Sequence, residues 1–264
     1  MLPGPPLPLP ASLASLLAVF GPLFTVPSFG TFCGLACGFL SQAGRRSVCG
    51  MLAGAGLSRS WSHDRAHRFF ALARWNPDEL GLAVARLVVA LLVPAGEPVT
   101  VAIDDTLFRR RGKKVGTQRQ YTGTAGRTEN AQVAVYLAYA APAGSAFIDR
   151  ALYLPRSWTD DPGRCRAAGA PEDVAFATKP ALARQMIGRA LDAGTPAGWA
   201  AADEVYGQDP RLRAELARRG LGYVLAVAKS QAVRPRRDSS HRNHIRKAIA
   251  PQALAHGHEV SLEY

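Results

Sequence analysis

The sequence predicts an α/β fold, a mixed sheet with helices packed on its faces, preceded by a small helical N-terminal domain. Three observations carry this expectation. Apolar residues recur at three- and four-residue steps up to about residue 93, a set of β-rich runs begins at Val99, and helices and strands alternate from Lys179 onward.

The clearest helix lies in "WNPDELGLAVARLVVALLVP". Asn76 can cap it, Pro77 suits the first helical position, and Asp78 and Glu79 complement the positive end of the dipole. Leu80, Val84, Leu87, Val88 and Leu91 form the apolar stripe, and Pro94 stops it. Upstream, Met1 to Gly44 contains no charged side chain, which raises a membrane reading. Pro22, Pro27 and the glycines at 21, 30, 34 and 38 interrupt the run, whereas a spanning helix needs roughly 20 unbroken apolar residues. No basic segment precedes "ASLASLLAVF", so a secretory signal is not supported. Buried helices and no membrane partner are expected. Cys33 and Cys37, at i, i+4 spacing, read as small buried hydrophobes, and four scattered cysteines fit a reducing compartment.

After "PAGEP" the pattern changes. "VTVAI" (99–103) reads as a buried strand followed by a basic loop. "AQVAVYLAYA" (131–140) and "SAFIDRALYLP" (145–155) read as a hairpin around the turn signal "APAG". A polar loop with "SWTDDPGRCRAAG" leads to a helix over "KPALARQMIGRALDAG", capped by Thr178 and ended by Gly194. "GWAAAD" (198–203) is a fourth strand, "QDPRLRAELARRG" a helix with Asp209 as cap, and "LGYVLAVA" (221–228) a fifth strand. Three strands, helix, strand, helix, strand is the order of a ribonuclease-H-like core. There the first and fourth strands are neighbours, so Asp203 should meet Asp104 or Asp105. The expected division is 1–95 helical, 96–230 the ribonuclease-H-like core, and 231–264 a basic tail.

Charge supplies the chemistry. A net +12 and a pI near 10.1 favour a polyanionic partner. Arg45, Arg46, Arg59, Arg65, Arg68 and Arg74 would place basic helices against phosphates, or else form a solvated face. Directly after the paired aspartates come Arg109, Arg110, Arg111, Lys113 and Lys114. Adjacent carboxylates repel one another, and a simple Asp-Asp-Thr turn would explain them locally. With Asp203 beside them, a bound Mg2+ or Mn2+ is the better explanation, because both ions take oxygen donors. Two such ions about 4 Å apart support in-line phosphodiester displacement, with the basic run holding the DNA backbone.

"IDDTLFRRRGKKVGTQRQYTGTAGRTENAQVAVYLAYA", "DRALYLPRSWTDDPGRCRAAGAPEDVAFATKPALARQM" and "ADEVYGQDPRLRAELARRGLGYVLAV" resemble DDE-superfamily endonucleases, specifically bacterial insertion-sequence transposases. The resemblance covers roughly residues 40–230 and implies a ribonuclease-H-like catalytic domain, divalent-metal chemistry, and an N-terminal domain that binds element ends. It further implies double-stranded DNA as partner, self-association on DNA, and a cytoplasmic, nucleoid-associated bacterial protein. It makes Asp104 the first catalytic acid, with Asp105 the near alternative, and Asp203 the second. Arg119, with Gln120, Tyr121 and Asn130, matches a polar stretch of the family, and Arg119 joins the expected DNA contacts.

One departure stands out. The family's third acid, a glutamate, lies well beyond the fifth strand, and the segment after that strand is basic and His-rich. Glu259 and Glu263 are its only glutamates, and Glu204 is a weak substitute beside Asp203. The tail reads as a truncation or frameshift, which would leave a transposase without full activity. A non-catalytic protein that occupies element ends or inhibits intact transposase is the alternative. His241 and His244 do not make a zinc site without further well-spaced ligands.

Overall fold

The computed structural model describes residues 9–230 except 45–46, 95–98, 111, 113–115, 123–125, 172 and 229. The chain divides into two compact units, Met1–Val227 and Ala228–Tyr264. Every described helix and strand belongs to the first. Its N-terminal helices are α1 (Ala11–Ala18), α2 (Val26–Ser41), α3 (Val48–Gly54), α4 (His63–Leu72) and α5 (Pro77–Leu92). Then come β1 (Thr100–Arg109), β2 (Gln118–Thr122), β3 (Arg127–Ala141), β4 (Gly144–Tyr153), α6 (Arg156–Thr159), α7 (Pro162–Ala167) and α8 (Lys179–Asp192). The last elements are β5 (Trp199–Ala202), α9 (Glu204–Gly207), α10 (Pro210–Arg218) and β6 (Gly222–Leu225).

The helix boundaries follow their caps. Asn76 Oδ1 accepts the backbone N–H groups of Asp78 and Glu79, Thr178 Oγ1 that of Ala181, and Asp209 Oδ1 that of Leu212. Pro77, Pro180 and Pro210 each occupy a first-turn position, where the missing N–H costs nothing. Gly194 ends the α8 region with φ +84°, a left-handed conformation glycine adopts without strain.

The sheet is mixed, in the order β2-β3-β1-β5-β6, with β4 also on β3. β2 pairs with the first part of β3 and β4 with the remainder, so the two share one edge of that long strand. β1 runs antiparallel to β3 and parallel to β5, and β5 is parallel to β6. Two strand expectations change. β1 continues to Arg109 and the basic segment after it contains β2, because β3 starts at Arg127 and offers both a partner edge. The polar loop around "SWTDDPGRC" holds the short helices α6 and α7, the second capped by Asp161.

Alternation along β1 sends Val101 and Ile103 into the core. They pack with Val135, Leu137 and Tyr139 of β3, Ala200 of β5, and Met186, Ile187 and Ala190 of α8. Ala85 and Val88 of α5 and Leu212 and Leu216 of α10 complete this layer. Each such buried aliphatic side chain contributes about 1.5–3 kcal/mol. On the opposite face, Phe147 is 64% exposed and lies 4.8 Å, centroid to centroid, from Tyr136.

α5 serves two cores. While Ala85 and Val88 face the sheet, Ala83, Leu80 and Leu87 pack with Leu17, Phe20 and Cys33 of the N-terminal helices. A further cluster joins Leu35, Leu52, Leu57, Ala66 and Phe69. Cys33 is buried, and desolvation raises its thiol pKa, as suits a small apolar residue. Among the described residues no helix is long and apolar enough to cross a membrane.

Candidate active site

The register of β1 on β5 builds the site. Its last rung pairs Ile103 with Ala202, so Asp104 and Asp203 follow immediately on the two adjacent strands. β5 ends there because Asp203, still extended at φ −78° and ψ −175°, caps α9: its Oδ1 accepts the Val205 N–H at 3.0 Å. β1 does not end. It stays paired with β3 through Arg109, so both aspartates lie inside a strand rather than at its terminus. What stops at Ile103 is the neighbouring strand, and this leaves the acids beside an open sheet position.

Alternation separates the two aspartates. Asp104 is exposed, and its Oδ1 accepts the adjacent Asp105 N–H at 2.7 Å. Asp105 follows Val101 and Ile103 on the covered face. There its Oδ2 meets Lys179 Nζ of α8 at 2.8 Å, and its Oδ1 accepts the Tyr206 hydroxyl of α9 at 3.2 Å. Tyr206 is fully buried. Its hydroxyl pKa is raised far above the ordinary value, first by burial and then by the Asp105 charge, so it remains a donor. Gly207 is required next to it: any Cβ would collide with the Ala226 carbonyl on the strand exit from β6.

Asp203 is the electrostatic centre. Burial raises its carboxyl pKa most; the Val205 N–H opposes that, while the charges of Glu204, Asp104 and Asp105 add to it. The neighbouring acids thus disfavour the ionised form of Asp203. The donor set is hard oxygen throughout, which suits Mg2+ or Mn2+ rather than a soft metal. Among the described residues, no three His, Cys, Asp or Glu side chains are grouped to hold a metal ion. Glu204 is exposed at the start of α9; Glu259, Glu263 and the tail histidines lie outside the described residues.

The basic residues are partly occupied. Arg109 Nε lies 2.9 Å from Glu129 Oε2, a charge contact without hydrogen-bond geometry, and Arg127 pairs with Glu129 Oε1 at 2.6 Å. Arg110 donates to Gln132 Oε1 at 2.6 Å, and Asn130 Nδ2 donates to the Arg110 and Gly112 carbonyls. Arg119 is exposed on β2. Arg111, Lys113 and Lys114 lie outside the described residues, as does the Tyr121 side chain. Of the N-terminal arginines, Arg65 stacks 3.8 Å from the Trp61 ring and donates to Thr31 Oγ1, tying α4 to α2.

Sequence reasoning gave no role to Lys179, Tyr206, Glu129 or Asn130. Lys179 and Tyr206 were visible only as members of "ATKP" and "ADEVYG"; their pairing with Asp105 spans 74 and 101 positions and needs the fold.

Comparison with known proteins identifies the family. The description DDE superfamily endonuclease matches residues 32–255. A probable transposase for insertion sequence element IS701 from Microchaete diplosiphon is 28% identical over 211 residues, which cover 79% of this chain and 51% of that protein. The chain thus spans about half the length of the curated relative it matches. No solved structure gives a significant match. The chain belongs to the DDE superfamily of endonucleases.

Proposed function

We propose that this chain is an insertion-sequence transposase core acting on double-stranded DNA, with Asp104 and Asp203 as the acids that hold Mg2+ or Mn2+. One observation carries the reading: the β1–β5 register sets these residues on adjacent strands just where the pairing ends. The sheet order, with an antiparallel hairpin followed by parallel strands on the other side of β1, supports a ribonuclease-H-like domain over 96–230.

A bound divalent cation would supply counter-charge and Lewis acidity for cutting a phosphodiester bond and joining the new end to a target. The chain's own residues do the rest. Asp203 is fixed by its cap on α9 and Asp104 by β3, while Asp105, the near alternative to Asp104, is held by Lys179 and Tyr206. Arg109, Arg110 and Arg119, with Arg111, Lys113 and Lys114, hold the phosphate backbone, and the helices of 1–95 bind element ends.

A second reading follows from the missing third donor among the described residues. On that reading the protein occupies element ends or inhibits intact transposase, and does not cut. Nicking of a supercoiled plasmid in Mn2+ separates the two. Nicking that disappears in both Asp104→Asn and Asp203→Asn is the outcome expected of the catalytic reading. Cleavage indifferent to both substitutions contradicts it, and DNA binding without cleavage in any divalent ion favours the second reading.

A further inference from the structure

Four acids follow the last rung of the β1–β5 pair in sequence: Asp104 and Asp105 on β1, Asp203 just after β5, and Glu204 at the start of α9. Among the described residues a single ion pair answers them, Lys179 Nζ on Asp105 Oδ2 at 2.8 Å. Because the Tyr206 hydroxyl occupies the other oxygen, Asp105 is fully engaged, whereas among the described residues Asp104 and Asp203 have only backbone N–H partners.

The position of Lys179 is unusual for a helix. It is the first residue of α8, where the dipole favours anions and disfavours a cation. Local helix energetics therefore do not account for a lysine there. Thr178 caps the helix and Pro180 stiffens its first turn, so the backbone is fixed while the flexible stem carries the ammonium to β1. With the Lys179 side chain 26% exposed and that of Asp105 17%, the pair sits at the rim of the cluster rather than deep in the core.

We propose that Lys179 is a resident counter-cation: it neutralises Asp105 in the metal-free protein and competes there with the divalent ion for the acid cluster. This rests on the reading of Asp104 and Asp203 as metal-holding acids. Lys179 is a positioning residue, since it touches Asp105 and no substrate. It keeps the crowded acids foldable without metal, at the cost of weaker metal binding. An ammonium beside the site repels a doubly charged ion, and removing it should tighten binding by about tenfold or more.

The test is titration of the full chain with Mn2+, followed by electron paramagnetic resonance of the free ion, in parallel with melting in EDTA. Lys179→Met should bind Mn2+ about tenfold more tightly than wild type while melting lower in EDTA, and saturating Mn2+ should raise its Tm more than that of wild type. Lys179→Arg keeps the charge and should stay within about threefold of wild-type affinity. A merely structural lysine would give lower stability with unchanged or weaker Mn2+ binding, and that result in Lys179→Met overturns the proposal. If that variant does not fold in EDTA, Lys179→Gln carries the same expectation. Asp203→Asn distinguishes the two layers: if it does not weaken Mn2+ binding, the metal reading fails and this inference with it. If it does weaken binding while Lys179→Met leaves the affinity unchanged, only the inference fails.

Discussion

The two ends of helix α8 meet acidic side chains in opposite ways. At its last turn Arg189 donates to Asp149 Oδ2 through Nε at 3.0 Å and Nη2 at 2.8 Å, and to Asp78 Oδ2 at 2.8 Å. Arg150 closes the set with contacts to Asp78 at 3.1 Å and Asp149 at 3.3 Å. Two arginines thus balance two aspartates, with the cation of α8 at the end its dipole favours. At the first turn, among the described residues, Lys179 pairs with Asp105, at the disfavoured end, and Asp104, Asp203 and Glu204 have no cation partner. The balanced cluster ties α5, β4 and α8 together. The unbalanced one leaves negative charge unanswered, which is the condition a bound cation relieves.

The largest effect that would test this contrast is on stability. The Asp149 side chain is 5% exposed, so Arg189→Met removes both hydrogen bonds to its Oδ2, leaves Arg150 to face two aspartates, and should cost about 3 kcal/mol. Urea unfolding measures it, and the loss should be the same in EDTA and in Mn2+. A metal-dependent loss would make this cluster a cation site too and erase the distinction.

A smaller stability change but a larger change in metal affinity is expected of Asp203→Asn. Asparagine caps a helix as well as aspartate, so the turn is retained while one charge leaves the crowd. Mn2+ affinity should fall at least about tenfold, with Tm in EDTA unchanged or raised. The pH dependence has a definite sign. The folded-state pKa of Asp203 lies above its ordinary value, so its contribution to stability is full below that ordinary value and is lost as pH rises through the raised one. Asp203→Asn should flatten this part of the stability curve, measured by melting between acid and neutral pH without metal.

Much of the fold could be read from local signals. Asn76, Thr178 and Asp209 announce their helices by cap chemistry, and the alternating runs at 131–140 and 145–155 announce a hairpin. The length of β1 could not be read, because Asp104, Asp105 and the arginines after them look like a turn, and only pairing with β3 holds them extended. β2 was missed for the same reason: "QRQYT" has little apolar alternation, and its place on the β3 edge is a tertiary fact. At the site, Asp203 stood out because a buried strand ends on it. Lys179 did not, since a lysine at a helix start reads as solvated surface until the strand opposite it is known.

A divalent cation should bind the unbalanced cluster and not the balanced one. Anomalous X-ray scattering from crystals of this chain soaked in Mn2+ tests this directly. The prediction is a peak about 2.1 Å from carboxylate oxygens of Asp104 and Asp203, at the end of β5. A peak at Asp78 and Asp149 instead, or none at Asp203 in crystals that bind Mn2+ elsewhere, would contradict it.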